Sequence, residues 1–127
     1  ICINSLGSCF GSTGAASVNP ETGQLYGLSF PVLTIEDIAA AGHEVVKSFE
    51  LQKLHAVIGA SMGGMTALAY TIIYPEVADA LVSISGSSRA APFAIAMRSL
   101  QREIIRSDPA WKDATTIEIM SLRWVCA

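Results

Sequence analysis

Gly59-Ala60-Ser61-Met62-Gly63 is the stretch of this chain whose residue types and spacing suggest covalent chemistry. A serine hydroxyl is a poor nucleophile until it is exposed, oriented and partnered by a base. The pattern G-x-S-x-G supplies exposure and orientation where it joins a strand to a helix. The chain turns so sharply there that the serine stands strained at the strand tip. Small residues two positions to either side are needed because backbone segments approach closely. Ser61 is therefore the candidate nucleophile, Gly59 and Gly63 are the small flanks, and Gly64 adds room. The N–H of Met62, at the positive end of the following helix, is the candidate oxyanion-hole donor for a tetrahedral intermediate.

A bare G-x-S-x-G pattern arises by chance in a chain of this length in roughly 4% of cases, given ordinary glycine and serine usage. Context is what raises it, because the match falls between a short apolar run and a helical pattern. The competing reading is a tight strand–helix turn with an ordinary N-cap serine. The partners of a triad are harder to find. His55 stands six residues before Ser61, at the start of the same strand, roughly 20 Å away at about 3.3 Å per residue. His43 lies mid-helix, between Gly42 and Glu44, and is expected on the surface. Asp79 precedes the next strand, at the wrong end of a parallel sheet. None of the 66 residues after Ser61 is a histidine.

The elements that must position Ser61 are legible from periodicity. Ile1-Cys2-Ile3 reads as the tail of a strand, so the N-terminus is expected to be truncated. Residues 4–33 form one long irregular segment, with turn signals at Gly7, Gly11, Gly14, Asn19-Pro20, Gly23 and Gly27. Thr34 opens a helix as N-cap, with Asp37 completing a capping box. The apolar residues Ile35, Ile38, Ala41, Val45, Val46 and Phe49 keep helical spacing. Leu54 to Gly59 reads as a strand buried on both faces. A helix follows from about Met62 to Tyr74, and Ala80 to Ser85 reads as a second strand. A last helix runs from about Pro92 to Ser107, with Phe93, Met97, Leu100 and Ile104 as its apolar stripe and Asp108-Pro109 as its stop. Alternating strands and helices imply right-handed crossovers and a parallel sheet. No strand pattern follows the last helix, which is expected to cover the sheet. Residues 113–127 show no clear period.

Of the 127 residues, 51% are hydrophobic and 15% charged, which suits a packed domain and not a disordered chain. The net charge is −3 with no basic run, so a nucleic-acid surface is not expected. Cys2, Cys9 and Cys126 have no framework spacing and read as free thiols in a reducing compartment. No stretch reaches the length of a membrane span, no signal-peptide pattern opens the chain, and no metal motif is present. Gly11-Ser12-Thr13-Gly14 lacks the G-K-[ST] ending of a phosphate loop. Cys9, with no histidine beside it, reads as a small buried filler. Arg98, Arg102 and Arg106 form a stripe that reads as a solvated face, with contact to the phosphates of a ligand as the functional alternative.

The chain resembles the homoserine O-acetyltransferases and the closely related serine O-succinyltransferases. The resemblance runs from about Asn4 to Trp111. It is carried by Asn4 to Gly14, by Asn19-Pro20-Glu21-Thr22-Gly23, by Phe30 to Asp37, by Ile58 to Met65 around Ser61, and by Gln101 to Pro109. The first and fourth segments together are far more specific than G-x-S-x-G alone. The resemblance implies an α/β fold: a partial α/β-hydrolase fold, with a parallel sheet, flanking helices and the start of a helical cap. Within a single incomplete domain spanning 1–127, it makes 4–33 a loop on the active-site side, 54–86 the nucleophile-elbow unit and 92–107 a cap-type helix.

The implied activity is transfer of an acetyl or succinyl group from acyl-CoA, a co-substrate and not a bound cofactor, to the hydroxyl of homoserine. The path runs through an acyl-serine on Ser61, with Met62 at the oxyanion-hole position, in methionine biosynthesis. Serine as acceptor, in cysteine biosynthesis, is the first alternative, and the helix around Ser87–Gln101 leans slightly towards it. The family's triad Asp and His and its substrate-binding Arg lie downstream of the matched region. They have no counterpart here, and that role does not pass to Arg123. An oxyanion contribution from before Asn4 is likewise outside the chain. An esterase using the same serine with water as acceptor, and an inactive truncated fragment, are the remaining alternatives. The expected setting is cytoplasmic, with no membrane and no nucleic-acid partner, and a homodimer is left open.

Overall fold

The computed structural model describes residues 1–8, 10–108 and 111. Cys9, Cys126, Arg123 and the aperiodic segment 113–127 lie outside the described residues. The chain divides into two compact units, Ile1–Leu6 with Val32–Arg89, and Gly7–Pro31 with Ala90–Ala127.

The first unit contains the strand–helix–strand element. Helix α1 spans Ile35–Ser48 and is capped as its sequence predicts: Asp37 N–H donates to Thr34 Oγ1 and Thr34 N–H donates to Asp37 Oδ2. Glu36 and Asp37 in its first turn and Lys47 in its last complement the helix dipole. The chain leaves α1 through Glu50, at φ 57°, whose N–H donates to the Lys47 carbonyl. A left-handed residue is a common way to end a helix. Strand β1, Val57–Ala60, then leads into helix α2, Met62–Ile73, and strand β2, Leu81–Ile84. The strands are parallel, with Val57 opposite Leu81 and Ala60 opposite Ile84. A bridge between Leu54 and Ala78 opens the ladder at its far end.

Helix α2 packs on both strands and on α1. The buried core is Ala39 and Val46 from α1 with Ala67 and Tyr70 from α2. The small alanines let the two helices come close, and Tyr70 fills the space between them. The two-sided burial expected of the first strand is not observed. In β1, Val57 and Gly59 are half-buried while Ile58 and Ala60 are exposed, and every residue of β2 is exposed. The physical reason is that α2 covers one face, and nothing in this unit covers the Ile58–Val82–Ile84 face. Residues 1–3 are not a strand either. They join no ladder, and Ile3 instead lies beside α1, where a side chain at Gly42 would meet its Cδ1 at 3.8 Å.

In the second unit, the long irregular segment is tied to itself. Gly7 N–H donates to the Thr13 carbonyl, Gly27 N–H to Ala15, and Val18 and Leu25 form an antiparallel bridge. That bridge closes over the turn Asn19–Gly23, where Glu21 N–H donates to Asn19 Oδ1. A short 3-10 turn covers Gly27–Ser29, and Tyr26 meets Phe30 edge to face. Helix α3, Pro92–Ser107, has the span its sequence predicts, with Pro92 in its first turn. No residue of α3 is buried. Phe93, Met97, Leu100 and Ile104 all remain open, so the apolar stripe is unpacked within its own unit. Among the described residues, no helix is long and apolar enough to cross a membrane.

Candidate active site

Ser61 occupies the turn between β1 and α2 at φ 53°, ψ −119°. This is the left-handed side of the backbone map, where a non-glycine residue is uncommon and strained. An ordinary N-cap serine has an extended backbone and accepts a hydrogen bond through its hydroxyl. Ser61 does neither: its φ is positive and its side chain makes no capping bond. Its main chain is nevertheless held at both ends. Ser61 N–H donates to the Ile84 carbonyl at 2.8 Å, continuing the parallel ladder, and its carbonyl accepts from Met65 N–H at 3.1 Å. The serine is thus fixed by its backbone while its hydroxyl is left uncommitted at an exposed position. Met62 follows as the first helical residue, where an N–H has no acceptor inside the helix.

The glycines divide the work unequally. A Cβ on Gly59 would collide with the Gly63 carbonyl and stand 2.8 Å from Gly64 N. A Cβ on Gly64, which is buried, would stand 2.8 Å from Ser83 Oγ and 3.1 Å from the Gly59 carbonyl. A Cβ on Gly63 would meet nothing within 4 Å. Gly63 was expected to be small because of crowding at its own α-carbon. It is instead the backbone of Gly63 that crowds Gly59.

His43 is not the surface residue its neighbours suggested. It is half-buried between α1 and α2, with Nδ1 3.1 Å from Tyr70 Oη and its ring stacked on Tyr74 at 3.8 Å. The signal was in the sequence as Tyr70 and Tyr74, four residues apart, the first on α2 and the second ending it. Tyr70 stands nine residues beyond Ser61, about 13 Å along the helix, so His43 is not within reach of the serine. His55 is exposed and lies before β1. Asp79 belongs to the opposite end of the ladder, where its N–H donates to the Leu54 carbonyl and its carboxylate pairs with Lys53 at 2.5 Å. That hydrogen bond, reinforced by the charge of Asp79, raises the Lys53 pKa. The arginine stripe of α3 is engaged locally: Arg98 with Gln101, Arg102 with Ser99, and Arg106 with Glu103.

Two features at the site went unread in the sequence. Ser85, one residue past β2, also has a positive φ of 52°. Ser83 donates to the Gly64 carbonyl at 3.1 Å. The available signal was Ser83 together with the small-residue run Ser85 to Ser88.

A family model described as the alpha/beta hydrolase fold matches residues 1–120. A serine O-succinyltransferase of Stenotrophomonas maltophilia (strain K279a) is 60% identical over 111 residues, covering 87% of this chain and 30% of that protein. Among solved structures, a homoserine O-acetyltransferase from Bacillus anthracis superposes with a TM-score of 0.78 at 34% identity, over 81% of this chain and 28% of that one. Esterase E22 superposes with a TM-score of 0.79 at 32% identity, over 87% and 32% respectively. The chain spans about 30% of the length of the curated relatives it matches.

Proposed function

The chain belongs to the alpha/beta hydrolase fold family, and from that premise we propose that the whole protein is an O-acyltransferase with Ser61 as its nucleophile. The observation that carries this reading is the backbone of Ser61, at φ 53°, with its hydroxyl outside any capping bond. Such an arrangement, a nucleophile elbow, leaves the hydroxyl available to attack. In the reaction, Ser61 Oγ adds to the thioester carbonyl of acyl-CoA and its proton passes to a base. The N–H of Met62 receives the developing oxyanion. Collapse expels the CoA thiolate, which takes a proton, and leaves an acyl-serine. The hydroxyl of serine or homoserine then attacks the acyl-serine, yielding its proton to the base and restoring Ser61. Neither histidine of this segment is placed to be that base.

The kinship with a serine O-succinyltransferase and a homoserine O-acetyltransferase supports an acetyl or succinyl donor and one of these two acceptors. Serine acylation would serve cysteine synthesis and homoserine acylation methionine synthesis, both cytoplasmic settings in which the exposed thiol of Cys2 stays reduced. The similarity to esterase E22 supports a second reading, with water as the acceptor.

Mixing the whole protein with acetyl-CoA or succinyl-CoA, without acceptor, tests the scheme. A burst of free CoA is expected, together with an acyl adduct on Ser61 by mass spectrometry. Adding serine or homoserine should then discharge the adduct much faster than water does. Discharge by water alone would favour the esterase. Absence of both burst and adduct would exclude the acyl-serine path.

A further inference from the structure

We propose that Ser83 is a positioning residue for Ser61, acting through the first turn of α2; the proposal rests on Ser61 being the nucleophile. Ser83 Oγ–H donates to the Gly64 carbonyl at 3.1 Å, across 19 residues of sequence. Gly64 lies three residues beyond Ser61 and is buried. Its carbonyl already has the helical acceptor role for the residue four positions on. The bond from Ser83 is therefore additional, and its consequence is geometric: it pins the start of α2 to β2.

The same point is closed from the other side by Gly86. A Cβ there would collide with Ser83 Oγ and stand 2.9 Å from the Gly64 carbonyl carbon, while a Cβ on Gly64 would stand 3.2 Å from Gly86 Cα. Gly64, Ser83 and Gly86 thus form a contact with no room for a larger residue. Ser85 lies between the last two, and its φ of 52° bends the chain beyond β2. A strained conformation persists only where its surroundings over-determine it.

Ser61 is consequently tied to β2 twice. Its own N–H donates to the Ile84 carbonyl at 2.8 Å, and the helix it opens is held at Gly64 by Ser83. With the second tie gone, the first turn of α2 pivots about Ser61 and carries the Met62 N–H with it. Small misplacements of this kind are costly, about a hundredfold in rate for roughly 1 Å.

The test measures the reactivity of Ser61 in the whole protein, independent of any acyl donor. A fluorophosphonate is attacked at phosphorus by the serine oxygen and loses fluoride, and the modified serine is located by mass spectrometry. Ser83→Ala is expected to slow this reaction about tenfold, a partial misplacement on the scale above. The melting temperature should change little and the shape of the pH profile should be kept, because the base is untouched. Gly86→Ala should slow it further. In the Ser83→Ala background its added penalty should shrink without vanishing, since removal of the hydroxyl clears the contact with Ser83 Oγ and leaves the one with the Gly64 backbone. Wild-type reactivity in Ser83→Ala, or slowing fully accounted for by unfolded protein, would overturn the proposal. A wild-type Ser61 that does not react would sink the nucleophile reading and this proposal together. A reactive Ser61 without acyl transfer from acyl-CoA would sink only the acyltransferase reading and leave the Ser83 comparison decisive.

Discussion

A methyl group on Gly59 would run into the carbonyl of Gly63, whereas a methyl group on Gly63 would meet open space. The two flanks of Ser61 look equivalent in the motif and are not equivalent in the fold. Gly59→Ala should cost about 1–3 kcal/mol, the usual penalty for overpacking, and should displace the serine. Gly63→Ala sits in a helix where alanine is favoured over glycine by about 1 kcal/mol, so its stability should hold or rise. Urea unfolding of both variants in the whole protein checks the contrast. If Gly63→Ala keeps full stability but loses acyl transfer, the open space beside Gly63 is where substrate sits.

How far the sequence reached is seen in the same residues. Strand–helix–strand order, the Thr34–Asp37 cap and the span of α3 follow from local periodicity and capping chemistry, which are short-range and so legible. The strain at Ser61 was legible too, because it is tied to a five-residue pattern. The Ser83–Gly64–Gly86 contact was not, since it joins residues about 20 apart and depends on the register that sets Gly59 opposite Ser83. The misreading of His43 has the same origin. Its polar neighbours suggested solvent, and only the packing of α1 on α2 brings Tyr70 and Tyr74 to it. The apolar run Leu54 to Gly59 suggests burial on both faces, yet composition does not say what covers each face.

The His43–Tyr70–Tyr74 cluster should contribute to stability and to its alkaline pH dependence. Tyr70→Phe removes the hydroxyl that meets His43 and is expected to cost about 1 kcal/mol, typical of a net hydrogen bond. Burial, and then the proximity of Tyr74, raise the Tyr70 pKa above its ordinary 10.0. The unfolded chain therefore ionises first. The stability present below pH 10 should fall as pH rises from that value towards the folded pKa. In Tyr70→Phe the alkaline decline should be shallower, as read by denaturant midpoints between neutral and alkaline pH.

The cap of α1 makes an opposite statement at acid pH. The Thr34 backbone N–H, and after it the Thr34 hydroxyl, donate to Asp37 and hold its carboxyl below the ordinary 3.8. A depressed folded pKa gives stability that is present above the unfolded value and is lost as pH falls from 3.8 towards the folded pKa. Asp37→Asn should flatten the acid limb of the stability profile. Thr34→Ala should lower stability at neutral pH by about 1 kcal/mol, as for other lost N-caps. An unchanged acid limb in Asp37→Asn would show that the capping box does not persist in solution.

The last expectation concerns the two histidines. Catalysis by Ser61 requires a base within hydrogen-bond reach, roughly 2.6–3.2 Å. His43 is engaged with Tyr70 and Tyr74, about 13 Å along α2 from the serine. His55 stands in a bend before β1, and the four strand residues between it and Ser61 alone span roughly 13 Å. Neither distance closes by a side-chain rotation, and the ladder from Leu54–Ala78 to Ala60–Ile84 holds the strand in place. His43→Gln and His55→Gln in the whole protein should therefore keep acyl-transfer rates, with the first somewhat less stable. Loss of a triad histidine would act on a different scale, because the catalysis left without a triad member is only about 10³–10⁴ over water. Rates of CoA release and of acyl-serine discharge, measured for both variants against Ser61→Ala, separate the cases. A collapse in either histidine variant to the level of Ser61→Ala would place the base within this segment and overturn the geometry argued for it.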